Sequence, residues 1–429
     1  MSSKLRPADL LHGDANVGGG TIDVAPPISV ATTFYSHPDP YATIGDIVGD
    51  LRNPTRQVYS RYTADVRTRA EHVLSKINDG YALTYSCGLS ACFAVSLELV
   101  TPGTHPDEVA ASQALTHYAP KRIAVRDGYF GCHASFEIYK RGRDVEIVDL
   151  NVDYQEGDLC WLETPVNPTG ESRDIKYYAD KIHKVGGKLV VDATLGPPPL
   201  QYPFKFGADT VLHSATKYLG GHSDLLAGVL IVKTEEEWSK LLHDRTYMGM
   251  VAGSLESWLL LRSLRTLHLR IPRQSENATA LAKWLQAIVE ETASGQPYDG
   301  VPPGVLKQVY HSALQQTDAH GFHPKIQMEG GYNALFAITL TDVKKARHLP
   351  QHTQVIINAT SLGSVESLIE YRHRVDPRED PLLIRLSIGV EDIEVGVQSL
   401  LIRDVAHGNI QELKDDLRQA FQKLAELKD

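Results

Sequence analysis

Six short apolar runs constrain this chain more than any other feature: RIAV, VEIVDL, GDLCWLE, GKLVVDAT, ADTVLHS and AGVLIVK, all between Arg122 and Lys233. Each is rich in β-branched residues and hydrophobic on both faces, and helical patterns lie between them. Strands of that kind belong in a mainly parallel sheet with helices covering it on both sides. The expectation is a large α/β domain. The pattern SLESWLLLRSLRTLHLRIPRQSENATALAKWLQAIVEE then reads as a long helical segment leading away from it, with Pro272 expected to bend or divide it. After the Gly/Pro-rich stretch TASGQPYDGVPPG, the runs YNALFAITL and LLIRLSIG read as strands and NIQELKDDLRQAFQKLAEL as an amphipathic terminal helix. These make a second, smaller α+β domain. Residues 1–65 are rich in Gly, Pro and Asp with no sustained period, so they are expected to form an extended arm that packs on something else. The expected organisation is an arm over 1–65, a large domain over 66–265 and a small domain over 266–429.

Composition narrows the function. A chain of 429 residues is too long for one compact core and has enough interior for a dry cleft. The 43 basic and 53 acidic residues give a formal charge of -10 without a block of one sign, which argues against nucleic acid as a partner. The four cysteines, Cys87, Cys92, Cys132 and Cys160, form no CxxC pair, so neither a disulfide framework nor a structural zinc site is expected and a reducing compartment fits. No apolar run approaches a membrane span and the N-terminal segment has no signal-like apolar core, so the expectation is a cytoplasmic enzyme with no membrane partner.

In open parallel sheets ligands bind beyond the carboxyl ends of the strands. There the sequence delivers Asp192 from LVVDAT, Asn167 from DLCWLETPVNPTG, and Ser214, Thr216 and Lys217 from ADTVLHSATK. An amine, an acid and two hydroxyls are the set that pyridoxal 5'-phosphate requires. Its aldehyde takes a lysine, its ring nitrogen a carboxylate, and its phosphate hydroxyl and N–H donors. In TYSCGLSACFAVSLEL, Ser86 and Gly88 precede a helical pattern whose first N–H groups could add to the phosphate donors. Singly, each of these residues is more often structural: Asp192 reads equally as a cap, and Ser-x-Thr-Lys is common. A P-loop would need glycines before the lysine, whereas here they follow it. His213 and His222 have no third ligand at a persuasive spacing, so no metal site is expected.

The block VVDATLGPPPLQYPFKFGADTVLHSATKYLGGHSDLLAGVL resembles the signature of the pyridoxal-phosphate enzymes of cysteine and methionine metabolism, and the resemblance extends over almost the whole chain. That family includes cystathionine γ-synthases, cystathionine and methionine lyases and O-acetylhomoserine sulfhydrylases. The resemblance implies the type I fold of pyridoxal-phosphate transferases, similar to aspartate aminotransferase. It places Lys217 on the Schiff-base lysine, Asp192 on the partner of the ring nitrogen, Ser214 and Thr216 on phosphate ligands, and Thr194 on the cofactor's lining. YSCGLSA implies that backbone groups of Gly88 and Leu89 cradle the phosphate. Tyr129 matches a ring stacked on the cofactor and Asn167 a residue near its ring hydroxyl. QVYSRY matches a segment passed to the neighbouring subunit, so Tyr59 and Arg61 are expected to complete the partner's phosphate site, and the arm to form dimer surface within a homotetramer. In the small domain Ser361 and Leu362 match the substrate end, and Arg385 matches a clamp for the substrate carboxylate, suited to it by a planar fork.

Departures from the family pattern bear on specificity. YSRY continues as TADV instead of Gly-Asn-Pro-Thr, and Tyr-Gly-Gly-Thr becomes Tyr129-Phe130-Gly131-Cys132. Cys132 reads as a packed bystander more readily than as a reactive thiol. Before SLG, members that handle cystathionine resemble one another in carrying a glutamate that can hold the distal amino group; here it is Thr360. The expected activity is γ-replacement on an activated homoserine, O-acetyl-L-homoserine foremost, by way of a vinylglycine-type ketimine, with Lys217, Tyr129 and Tyr59 moving protons. The nucleophile is expected to be a small molecule forming a C–C or C–S bond, as in fungal relatives of natural-product pathways. The alternative is a cystathionine γ-synthase or a cystathionine or methionine lyase of transsulfuration.

Overall fold

A computed structural model describes residues 5–17, 23–98, 120–391 and 413–427. Seven strands form the larger sheet: β1 (Tyr81–Tyr85), β2 (Arg122–Ala124), β3 (Glu146–Val148), β4 (Asp158–Glu163), β5 (Lys188–Asp192), β6 (Thr210–Ser214) and β7 (Gly228–Val232). Their order is β1-β7-β6-β5-β4-β2-β3. Only β7 runs against its neighbours β1 and β6, so the sheet is mainly parallel, as the apolar runs require. The six runs account for β2 to β7. The seventh strand, β1, lacks a continuous apolar pattern because Thr84 interrupts it. Thr84 is fully buried, and its N–H and hydroxyl both donate to Glu71, at 2.9 and 2.7 Å.

A second sheet holds β8 (Leu306–Tyr310), β9 (Leu335–Leu340), β10 (Ile357–Asn358), β11 (Leu368–Tyr371) and β12 (Leu383–Ser387), in the order β10-β11-β12-β9-β8. It is antiparallel apart from the β10–β11 pair. Helix Leu267–Thr292 packs on β8 and β9, and the C-terminal helix Leu413–Ala425 packs on helix Val343–His352. Asp416 ties that last pair to the sheet by accepting from the N–H groups of Gln354, Val355 and Ile356. Residues 409–412 of the predicted terminal helix lie outside the described residues. Pro272 does not divide the long helical pattern. The break falls at Arg265–Thr266, between helices Ser254–Leu264 and Leu267–Thr292, and Pro272 sits early in the second of these. Sixth in that helix, Pro272 removes the one bond its N–H would have made to the His268 carbonyl, and the helix continues through it.

The arm also differs from a wholly extended segment. Pro7–His12 is a short helix whose Leu10 is fully buried in the large core, and Arg69 donates to the carbonyls of Asp14 and Val17 at 3.0 and 2.9 Å. Beyond it the chain turns outward, with Val24 93% and Tyr35 95% exposed.

Glu71, on helix Asp65–Asn78, joins several of these parts. It accepts from Thr84 and from buried Arg245, and Arg245 in turn donates to the Thr84 carbonyl at 3.0 Å. One turn earlier, Arg67 donates to the carbonyls of Ser60 and Tyr62, at 2.8 and 3.1 Å, and so fixes the YSRY segment. Removing one partner of a buried ion pair strands the other charge. Glu71→Ala is therefore expected to cost about 3–5 kcal/mol in chemical denaturation; a loss below about 1 kcal/mol would show that Arg245 needs no counter-ion.

Candidate active site

Carboxyl ends of the parallel strands and loops of the second sheet meet in a cleft of about 390 Å³. Strand β4 ends in Glu163 and leads to Asn167; β5 ends in Asp192 and leads to Thr194; β6 ends in Ser214 and leads to Thr216 and Lys217. After β1 the chain enters helix Gly88–Glu98, whose first residues, Gly88 and Leu89, line the cleft. Thr360, Ser361 and Leu362 face them from the second sheet's side, with Glu370 of β11, Arg372 and Arg385 of β12.

Lys217 donates from Nζ to Ser361 Oγ at 3.0 Å. Burial lowers its amine to about 8, and the nearby Arg385 acts in the same direction. Ser361 has φ 77°, a left-handed conformation that costs a non-glycine residue roughly 1–3 kcal/mol. The turn is tight: a Cβ on Gly363, φ 80°, would meet the backbone nitrogen of Tyr218 at 2.8 Å. The same loop binds Arg385, which donates to the Ser361 carbonyl at 2.8 Å and to Asn167 Oδ1 at 3.1 Å. Arg385 is only 4% exposed and pairs with Glu370 at 2.7 Å, directly across the strand register.

Asp192 accepts from the N–H and the hydroxyl of Thr194, at 3.0 and 2.6 Å. Glu163 accepts from the N–H groups of Tyr129 and Asn167, both at 2.7 Å, and thereby sets two cleft residues. Burial raises both carboxyls above the usual range, and Asp192 raises Glu163 further. The Tyr129 ring leans over Gly131 and packs at 4.9 Å from Phe130; burial also raises its phenol. The Cys132 thiol is held well above its ordinary value by a hydrogen bond with Cys92 and by burial, which makes it a packed bystander.

At the helix end, Ala91 donates the first intrahelical bond to the Cys87 carbonyl, so the N–H groups of Gly88 and Leu89 stand ahead of the ladder. A Cβ on Gly88 would lie 2.9 Å from Ser214 Oγ, so only glycine lets the helix come this close to β6. Thr216 exchanges hydrogen bonds with the backbone of Ala227, its hydroxyl donating to Ala227 O at 3.3 Å and accepting from Ala227 N at 3.1 Å.

The cleft thus unites Lys217, Asp192, Ser214, Thr216, Thr194, Gly88, Leu89, Tyr129, Asn167, Thr360, Ser361, Leu362 and Arg385. Tyr59 and Arg61 lie elsewhere, where Tyr59 bridges to Thr33 and the Arg61 guanidinium stands 5.5 Å from the Tyr59 ring. Sequence reasoning missed Glu163, Glu370 and Arg372. Glu163 had the same signal as Asp192, a carboxylate ending an apolar strand. The other two depend on the β11–β12 register, which no local pattern reveals. Among the described residues no group of three His, Cys, Asp or Glu side chains could hold a metal ion, and no helix is long and apolar enough to cross a membrane.

The model of the Cys/Met metabolism PLP-dependent enzyme family matches residues 8–422, and the chain belongs to that family. It is 30% identical over 408 residues to a cystathionine gamma-lyase from Dictyostelium discoideum, covering 90% of this chain and 94% of that one. A cystathionine gamma-synthase from Mycobacterium tuberculosis is 32% identical over 400 residues, covering 87% and 89%. Among solved structures, a methionine gamma lyase from Micromonospora echinospora superposes with TM-score 0.75 at 27% identity, covering 98% of this chain and 100% of its own. A cystathionine gamma synthase from Xanthomonas oryzae pv. oryzae, in complex with aminoacrylate and cysteine, gives TM-score 0.74 at 25% identity and 99% coverage of both.

This protein is therefore a pyridoxal-phosphate enzyme with the type I fold. The residues present fit the cofactor: a buried amine for the aldehyde, a buried carboxyl for the ring nitrogen, and two backbone N–H groups beside Ser214, in a cradle that a side chain on Gly88 would fill. A lysine attacks an aldehyde only when neutral. The rate at which cofactor-free protein takes up pyridoxal phosphate is expected to rise with pH and level off above about 8. A rise that continues toward pH 10.5, the ordinary lysine value, would show that the cleft leaves Lys217 unshifted.

Proposed function

We propose that the enzyme catalyses γ-replacement on an activated homoserine, O-acetyl-L-homoserine, joining its γ-carbon to a small nucleophile through a C–C or C–S bond. One observation carries the preference over cystathionine chemistry: among the described residues the cleft has no carboxylate free to hold a distal ammonium group, since Glu163 accepts from the N–H groups of Tyr129 and Asn167 and Asp192 accepts from Thr194. Thr360 replaces the glutamate expected there by resemblance, and Glu370 is committed to Arg385 and Arg372 at 2.7 and 2.8 Å. The walls offered instead are Phe130, Leu226 and Val375, which suit a small or partly apolar reactant.

Bound pyridoxal phosphate supplies an electron sink for negative charge developing beside the α-carbon. In this reading Asp192 holds the ring nitrogen, Tyr129 covers one ring face, Thr194 lines the cofactor, and Gly88, Leu89, Ser214 and Thr216 hold the phosphate end. Arg385 receives the α-carboxylate of the amino acid, and Asn167 orients it. Lys217, with an amine near 8 and steadied by Ser361, would accept the α-proton, pass it on, and then take a proton from the β-carbon so that the γ C–O bond can break; once the nucleophile has joined the γ-carbon it would return a proton to the β-carbon. Tyr129 would assist departure of acetate from the γ-carbon. Tyr59 and Arg61 are proposed to act in a neighbouring subunit of a cytoplasmic homotetramer, supported by the exposed apolar residues Val24, Val30, Tyr35 and Tyr41 on the arm that precedes them. The runner-up remains a transsulfuration enzyme, a synthase or lyase such as the Dictyostelium and Mycobacterium relatives are named to be.

Mass spectrometry of products from O-acetyl-L-homoserine offered cysteine, sulfide and enolisable carbonyl compounds tests the proposal. An adduct at the γ-carbon is expected, and 2-oxobutanoate alone would assign the protein to elimination. Thr360→Glu is expected to improve kcat/KM for cysteine by roughly tenfold, the worth of one charge-assisted hydrogen bond. An unchanged acceptor preference would remove Thr360 from the specificity argument.

A further inference from the structure

Arg372 follows β11 directly and lines the cleft although it is only 4% exposed. A guanidinium carries five N–H donors in a rigid fork. Among the described residues Arg372 makes one side-chain hydrogen bond, from Nη1 to Glu370 Oε2 at 2.8 Å. Its Nη2 stands 3.8 Å from Glu379, beyond hydrogen-bond reach, and its buried Nε has no partner. Leaving such a donor unsatisfied in a protein interior is costly, and this one, unlike a donor sealed in the core, belongs to a side chain that lines the cleft.

Charge on this wall gives the ligand its sign. Glu370 Oε2 accepts from both Arg372 and Arg385. Glu379 stands 3.8 Å from Arg372, so two carboxylates meet the two guanidinium groups, and Lys217 facing the same space adds a third cation that neither of them answers. Once the amino acid's α-carboxylate occupies Arg385, Arg372 still offers most of its fork. The surrounding side chains, Tyr129, Phe130, Leu226, Val375 and Thr360, leave an apolar region next to this cationic one.

We propose that Arg372 receives a second carboxylate, carried by the nucleophile, so that the second substrate of this enzyme is a small organic acid or amino acid and not a neutral or inorganic nucleophile. This inference rests on the γ-replacement reading. A carboxylate could also arrive on the acyl group of a succinyl ester, and the test separates the two sources.

The experiment compares wild-type holoenzyme with Arg372→Gln and Arg372→Lys, each checked for bound cofactor by its visible absorbance. Steady-state rates are measured with O-acetyl-L-homoserine and with O-succinyl-L-homoserine. Each is paired with cysteine, cysteine methyl ester, a 3-oxo acid and the methyl ester of that acid. Wild type is expected to favour an acid over its ester. Arg372→Gln is expected to raise KM for the acid by about tenfold or more and to abolish that preference, the usual consequence of removing one side of a buried charge-assisted contact. KM for O-acetyl-L-homoserine should change less than about threefold, and Arg372→Lys should recover part of the preference because it keeps the charge but not the fork. If Arg372 merely anchors Glu370 and Arg385, KM for the amino acid substrate rises instead and the acid-to-ester ratio stays as in wild type, which overturns the proposal. A selective loss of O-succinyl-L-homoserine binding, with nucleophile preference intact, moves the anion to the leaving group and overturns it as well. Absence of any γ-adduct with the wild type is seen before any substitution and overturns the γ-replacement reading together with this one.

Discussion

Burying Arg385 where water is largely excluded would cost several kcal/mol if the guanidinium stood alone, and the cleft is arranged around meeting that requirement. Glu370 lies opposite Arg385 in the β11–β12 register and pairs with it at 2.7 Å. From this pair a chain of hydrogen bonds runs into the larger sheet. Arg385 donates to Asn167, the Asn167 N–H donates to Glu163, and Glu163 also receives the Tyr129 N–H. A branch passes from Arg385 to the Ser361 carbonyl, while the Ser361 hydroxyl accepts from Lys217. Arg385, Asn167, Tyr129, Ser361 and Lys217 are therefore positioned by one connected network across the two sheets.

The network also sets the electrostatics of the cleft. Burial lowers the Lys217 amine to about 8, Arg385 acts in the same direction, and Glu370 moderates the effect. On the opposite side, burial raises the Asp192 and Glu163 carboxyls, which accept hydrogen bonds instead of facing water. The ion pair of Glu370 with both arginines commits that carboxylate and leaves Arg372 with donors to spare.

Much of this was legible in the sequence because parallel strands place chemistry at their carboxyl ends. The runs ending in Asp192 and Ser214 announced both the strands and the residues after them, and Lys217 followed from its place just past β6. What escaped was set by tertiary pairing. Strand β1 was hidden by Thr84, whose polarity is answered by Glu71 from a neighbouring helix. Glu370 and Arg372 sit in a segment, LIEYRHRVDPRED, that reads as an ordinary charged turn until β11 is registered against β12. The helix at Pro7–His12 was missed because a single buried leucine, Leu10, holds it to the core, too little to establish a period.

The central claim is that this cleft assembles around a cofactor bound at Lys217. Borohydride reduction of the holoenzyme, followed by proteolysis and mass mapping, tests it most directly. The account predicts a phosphopyridoxyl group on the peptide containing Lys217 and on no other lysine. Label on a different lysine, or a reduced protein without label, would contradict it.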